Sequence, residues 1–118
     1  MEKNQQLEHF VHAQVECWNQ GDKEGFLKCY SDIAPNGLSV EIVGAPQMEP
    51  QVALEAMWRT QPDIRIDIVC AVVVGNEAVT HHRNIKRSSG ELSTDTLEIY
   101  QLDDGKLSAR YFVSHPGS

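Results

Sequence analysis

His81 and His82 are adjacent in a stretch of alternating apolar residues, so their side chains point to opposite faces of a strand and cannot ligate one metal together. Arg83 shares the face of His81. If that face lines a pocket, a cation stands beside a titratable base, able to bind an anion or shift a proton. The alternative is one imidazole at a subunit surface and the other in solvent. Asp95 stands between Thr94 and Thr96, on the face of Leu97 and Ile99. Burial with those two would favour its neutral form and make it a general acid or hydrogen-bond donor; near an exposed strand start it is a solvated carboxylate. Gln14 interrupts an apolar helical stripe of Leu7, Phe10, Val11, Val15 and Trp18. A buried amide needs partners, either a ligand at the end of a pocket or a backbone group. His9, His12 and Glu16 lie opposite that stripe and read as a solvated polar face.

Other chemistries leave no trace. The 118 residues carry a formal charge of −7, which repels a phosphate backbone, so no nucleic-acid partner is expected. The basic cluster Arg83, Lys86 and Arg87 is interrupted by Asn84 and Ile85 and has no aromatic flank to stack a base. Cys17, Cys29 and Cys70 are odd in number and widely spaced, which suggests neither a disulfide framework nor a zinc site, and points to a reducing, cytoplasmic setting. A nucleophile elbow, a phosphate-binding loop and a dinucleotide glycine pattern are all missing, so neither cofactor nor metal is expected. Apolar runs such as Val69 to Val74 are too short to span a bilayer, and no basic-then-apolar leader opens the chain, so neither membrane insertion nor secretion is expected.

The elements that must position these residues follow from period and punctuation. A chain of this length with 41% hydrophobic and 23% charged residues reads as one domain, residues 1–118. The stripe from Leu7 to Trp18 predicts a first helix, closed at Asn19-Gln20-Gly21 by the left-handed glycine. Asp22 caps a second helix through Tyr30; Leu38 to Val43 is a short strand; Pro50 opens a third helix to Arg59. After Pro62 the period becomes two: Ile64, Ile66, Ile68, Cys70, Val72 and Val74 alternate up to the Gly75-Asn76 turn. Strands over 78–87, 92–102 and 107–114 follow, separated by Ser88-Ser89-Gly90 and Asp103-Asp104-Gly105, which predicts an antiparallel meander. The second apolar set, Val69, Ala71 and Val73, leaves the outer face of the sheet too apolar for water and predicts dimerisation through it.

In that order of elements, Trp18-Asn19-Gln20-Gly21-Asp22 resembles the "WNxGD" signature of the nuclear-transport-factor-2-like group, in particular SnoaL-like proteins and ketosteroid isomerases. Residues Tyr100 to Leu107 resemble the strand, "DGKI" turn and last strand of the same group, and the similarity extends over roughly residues 7–115. The resemblance implies an α+β fold: a cone with three N-terminal helices packed on a curved antiparallel sheet enclosing a pocket, and a homodimer. The group includes isomerases, cyclases, epoxide hydrolases, dehydratases and binding domains without catalysis, so shared fold leaves activity open.

Carried over residue by residue, the ketosteroid-isomerase pattern puts Gln14 where a helix-borne Tyr stands and Leu97 where a protonated Asp stands, with Asp95 two residues away. Its base position falls near Glu41. The SnoaL-like cyclase pattern puts His115 at the base, ten residues after Gly105; an imidazole can serve as a base near neutral pH. The epoxide-hydrolase pattern matches Arg83 but has Ile85 and His115 in place of its two Asp residues. The candidate catalytic set is therefore His115, Asp95 and Glu41. The candidate pocket set is Gln14, Trp18, Trp58, His81, Arg83, Leu97 and Tyr111, with Met57 and Phe112 as further apolar wall. Two functions from different classes follow: a pocket binding a small apolar steroid-, terpenoid- or polyketide-like molecule, or an acid–base isomerase, cyclase or hydrolase. A dimerising structural or partner-binding domain is a third.

Overall fold

The computed structural model describes residues 2–115. Three helices, α1 (Lys3–Gln20), α2 (Lys23–Ile33) and α3 (Pro50–Thr60), accompany five strands: β1 (Gly37–Ile42), β2 (Ile64–Val74), β3 (Glu77–Lys86), β4 (Leu92–Asp103) and β5 (Lys106–Ser114). Helix α1 starts four residues before its apolar stripe. Its first turn faces solvent, where periodicity carries no signal, and is held instead by the Glu2 N–H donating to Gln5 Oε1 at 3.0 Å. Gly21, at φ +74°, closes α1 as expected, and Asp22 Oδ1 accepts from the Gly25 N–H at 3.0 Å to open α2.

The sheet runs β1-β5-β4-β3-β2. Strands β2 to β5 form the antiparallel meander, but β1 pairs parallel with β5, Val40 opposite Ala109, so the sheet is mixed rather than antiparallel. The intervening chain returns between these two strands, which is what a parallel neighbour requires.

A second correction concerns β2. A bulge between Ile68 and Cys70 inserts Val69 and exchanges the faces of everything after it. Ala71 and Val73 therefore pack on the core, opposite Thr80 and Ala78, while Val72 and Val74 turn outward. The outer face is still apolar, but its exposed residues are Val69, Val72, Val74, Val79 and Leu97 rather than the predicted Val69, Ala71 and Val73.

The helices cover the other face. Phe10 meets Tyr30 and Tyr100 edge-on, with ring centroids 4.9 and 5.2 Å away, and Trp18 meets Phe26 and Trp58 at 5.2 and 5.0 Å. The end of α1 is bolted to β2: Trp18 Nε1 donates to the Ile64 carbonyl at 3.0 Å, and the Asn19 amide both donates to the Ile66 carbonyl (2.9 Å) and accepts from the Ile66 N–H (2.8 Å). Arg87 adds Nη2 to the Asn19 carbonyl at 2.8 Å, so this member of the basic cluster serves the fold. Among the described residues no helix is long and apolar enough to cross a membrane.

Candidate functional site

A cavity of about 350 Å³ opens between the helices and the inner face of the sheet. Its wall on the helical side is mainly apolar, with Trp18 from α1, Phe26 from α2 and Met57 from α3, joined by Ile42 and Ile66 from the strands. Its sheet floor is polar. Strand alternation places Thr94, Thr96, Glu98 and Tyr100 of β4 in one inward row, and Asn84 and His82 of β3 in the next. The Asn84 amide nitrogen donates to Thr94 Oγ1 and Thr96 Oγ1 at 2.8 and 2.7 Å.

At the inner end, three tyrosines surround Glu98. The Tyr30 and Tyr111 hydroxyls lie 2.7 Å apart, and Tyr100 donates to Glu98 Oε1. All three rings are buried. Burial pushes each phenol above its ordinary pKa, and the neighbouring Glu98 and tyrosine oxygens push Tyr30 and Tyr100 further the same way. These hydroxyls therefore keep their protons and act as donors at neutral pH. Behind Glu98, His82 Nδ1 approaches Oε2 to 2.9 Å, but off the direction in which a ring N–H donates. The contact is thus an electrostatic approach, and neither ring nitrogen has an aligned hydrogen-bond partner among the described residues.

Of the sequence-predicted residues, Gln14, Trp18, Tyr111 and His115 line this cavity, with His115 exposed at its mouth. Gln14 is 3% exposed and turns to the cavity from α1. Trp58 stands one layer out, against Trp18 and Phe26 and lining an adjoining groove.

Five others lie on the opposite face of the sheet. Glu41 pairs with Arg110 at 2.9 Å, His81 Nε2 lies 2.9 Å from Asp95 Oδ1, Arg83 reaches the same oxygen at 4.0 Å, and Leu97 is exposed. None of Glu41, His81, Arg83, Asp95 and Leu97 can meet a molecule in the cavity. The reason is the polar floor. Apolar Leu97 and Ile99 look like a buried row, but here the cavity side of β4 carries the threonines and the glutamate. Tyr100 and Leu102, two and four residues beyond Glu98, are the signal that could have placed that row inside.

A larger groove, about 500 Å³, runs along the polar side of α1 past Glu8, His9, His12 and Glu16 to Val73. It is an open surface; its side-chain contacts, among them His12 to Glu8 at 3.4 Å and Gln20 to Glu16 at 3.3 Å, are exposed, and the convergent polar groups lie in the smaller cavity. Among the described residues no three His, Cys, Asp or Glu side chains gather as metal ligands.

The family model of the SnoaL-like domain matches residues 11–110. No curated protein matches the sequence. Among solved structures, a SnoaL-like family protein from Agrobacterium tumefaciens, provisionally named an isomerase, is 17% identical over 93% of this chain and 98% of its own, with a TM-score of 0.73. A Kribbella flavida protein provisionally named a ketosteroid isomerase is 12% identical over 100% and 84%, at 0.74. A nuclear-transport-factor-2-like protein of unknown function from Burkholderia xenovorans is 15% identical over 98% and 88%, at 0.72. At these identities the likeness is one of fold. The order of helices and strands, the Trp18–Asn19 clamp and the match over residues 11–110 together place the chain in the SnoaL-like domain family.

Proposed function

We propose that the cavity binds a small, mostly apolar molecule of steroid-, terpenoid- or polyketide-like character, with a carbonyl oxygen set against the tyrosines. The observation that carries this reading is the Tyr30–Tyr111 hydroxyl pair beside Glu98, buried in a chamber whose helical wall is mainly apolar. One proton of the pair is spent between the two oxygens; the other is free to donate to a ligand. Apolar walls with a few convergent polar groups are the ordinary make-up of a small-molecule site. A thermal-shift screen of steroid, terpenoid and polyketide compounds is expected to give stabilisation that grows with ligand concentration and shrinks in Tyr30→Phe. No stabilisation by any of them would overturn the reading and leave a structural or partner-binding domain.

A second reading, acid–base catalysis, is favoured by one specific observation: Glu98 and His115 both line the cavity. In that reading Glu98 takes a proton from the carbon next to a carbonyl, the tyrosine hydroxyls hold the resulting enolate oxygen, and the proton returns to another carbon. The net change is an isomerisation. Exchange of that carbon-bound hydrogen for deuterium in D₂O, followed by NMR and lost in Glu98→Gln, tests it.

The partner proposed for the outer face is a second copy of the chain, with Val72, Val79 and Leu97 exposed across three neighbouring strands. Light scattering at micromolar concentration is expected to give twice the chain mass, and Leu97→Lys to halve it. The compartment proposed is the cytoplasm, where free Cys17, Cys29 and Cys70 stay reduced.

A further inference from the structure

Asn84 is 7% exposed and stands on the cavity floor. Both hydrogens of its side-chain amide are committed, one to Thr94 Oγ1 and one to Thr96 Oγ1, and these threonines are themselves 8% and 7% exposed. An amide has two donors and one carbonyl acceptor. With both donors spent, the carbonyl oxygen Oδ1 is the part of the amide still able to bond, and Asn84 lines the cavity. An acceptor carried on a cavity wall is one that a ligand's hydroxyl can pair with.

The position of this acceptor matters as much as its type. Thr94, Thr96 and Glu98 follow one another on the inner row of β4, and Asn84 pairs with Thr94 in register. At about 3.4 Å per residue, Thr96 lies about 7 Å from Glu98 along the strand and Thr94 about 14 Å. The Asn84 oxygen and the tyrosine–glutamate group therefore mark two separated polar stations, with Trp18, Met57 and Ile66 among the apolar walls of the same chamber.

We infer that Asn84 is a specificity-determining residue that selects a hydrogen-bond donor on the ligand. Resting on the small-molecule reading above, this narrows the ligand class to an elongated apolar skeleton with a carbonyl at the tyrosine end and a hydroxyl at the Asn84 end. A ketone in place of that hydroxyl sets two acceptors face to face and leaves the Asn84 oxygen unpaired.

The test uses three matched bicyclic probes: 6-hydroxy-2-decalone, 2,6-decalindione and 2-decalone, each titrated calorimetrically into the wild-type protein. The hydroxyketone is expected to bind about tenfold more tightly than the dione, the scale of one buried hydrogen bond made rather than refused. In Asn84→Ala, with folding checked by circular dichroism, that preference is expected to vanish, each affinity being compared with that of 2-decalone for the same variant. Equal binding of the two probes, or tighter binding of the dione, overturns the inference; the latter means that the threonines donate and the amide hydrogens face the ligand. Should Asn84→Ala not fold, Asn84→Leu supplies the same comparison. A tenfold preference surviving in Asn84→Ala also overturns it, and assigns selection to another acceptor of the cavity, Glu98 or Gln14. Binding without preference sinks this inference alone, whereas no binding by any probe sinks the small-molecule reading with it.

Discussion

The hydroxyls of Tyr30 and Tyr111 meet 2.7 Å apart although 81 residues separate them in the chain. One comes from α2 and the other from β5, so the pair exists only when the helices have docked on the sheet. In the unfolded chain each phenol ionises near its ordinary value of about 10. In the fold, burial holds the proton to higher pH. The contribution to stability is therefore complete below pH about 10 and is lost as pH rises past it. Urea unfolding across that range is expected to show a steep alkaline decline that Tyr30→Phe makes shallower. At neutral pH Tyr30→Phe is expected to cost about 1 kcal/mol, the net value of one hydrogen bond.

Glu98 and His82 are predicted to be energetically coupled. Their side chains are 9% and 1% exposed, and Nδ1 stands 2.9 Å from Oε2. Removing one member leaves the other buried without its counterpart. Glu98→Gln is expected to cost about 1–3 kcal/mol, and less in a His82→Leu background, with an interaction energy of at least about 1 kcal/mol in a double-mutant cycle. Additive losses would show that the approach of the two groups has no energetic consequence.

Asn19 serves the fold rather than the ligand. Its amide closes two hydrogen bonds with the Ile66 backbone, and Asn19→Ala leaves both backbone groups of that partly buried residue without their partner. The expected loss is about 2 kcal/mol, read as a lowered urea midpoint. An unchanged midpoint would mean that water replaces the amide there without penalty.

Within the acid–base reading, variants on the two faces of the sheet are expected to behave differently. Glu98→Gln lowers hydrogen–deuterium exchange on a bound ketone roughly a hundredfold or more. Asp95→Asn and Glu41→Gln, on the outer face, leave it unchanged. His115→Ala gives a smaller loss than Glu98→Gln, because its imidazole is exposed at the mouth. An inactive Asp95→Asn with an active Glu98→Gln would reverse the assignment of faces.

Local signals determined much of this protein. The stripe from Leu7 to Trp18, the left-handed Gly21, the cap at Asp22 and the switch to period two after Pro62 set the helices, the close of α1, the opening of α2 and the meander, because each depends on neighbours within a few residues. Trp18 and Tyr111 reached the cavity wall for the same reason, as large residues on well-patterned elements. Strand face was what the sequence left undecided. One bulge at Val69 moved Ala71 and Val73 from the outer face to the core. On β3 and β4 the cavity inverts the usual relation of polarity to burial, so that Asn84, Thr94, Thr96 and Glu98 turn inward while Leu97 faces out. The parallel pairing of β1 with β5 and the meeting of Tyr30, Tyr111 and Glu98 join residues far apart in the chain. Such contacts depend on how whole elements pack, and no local pattern records them.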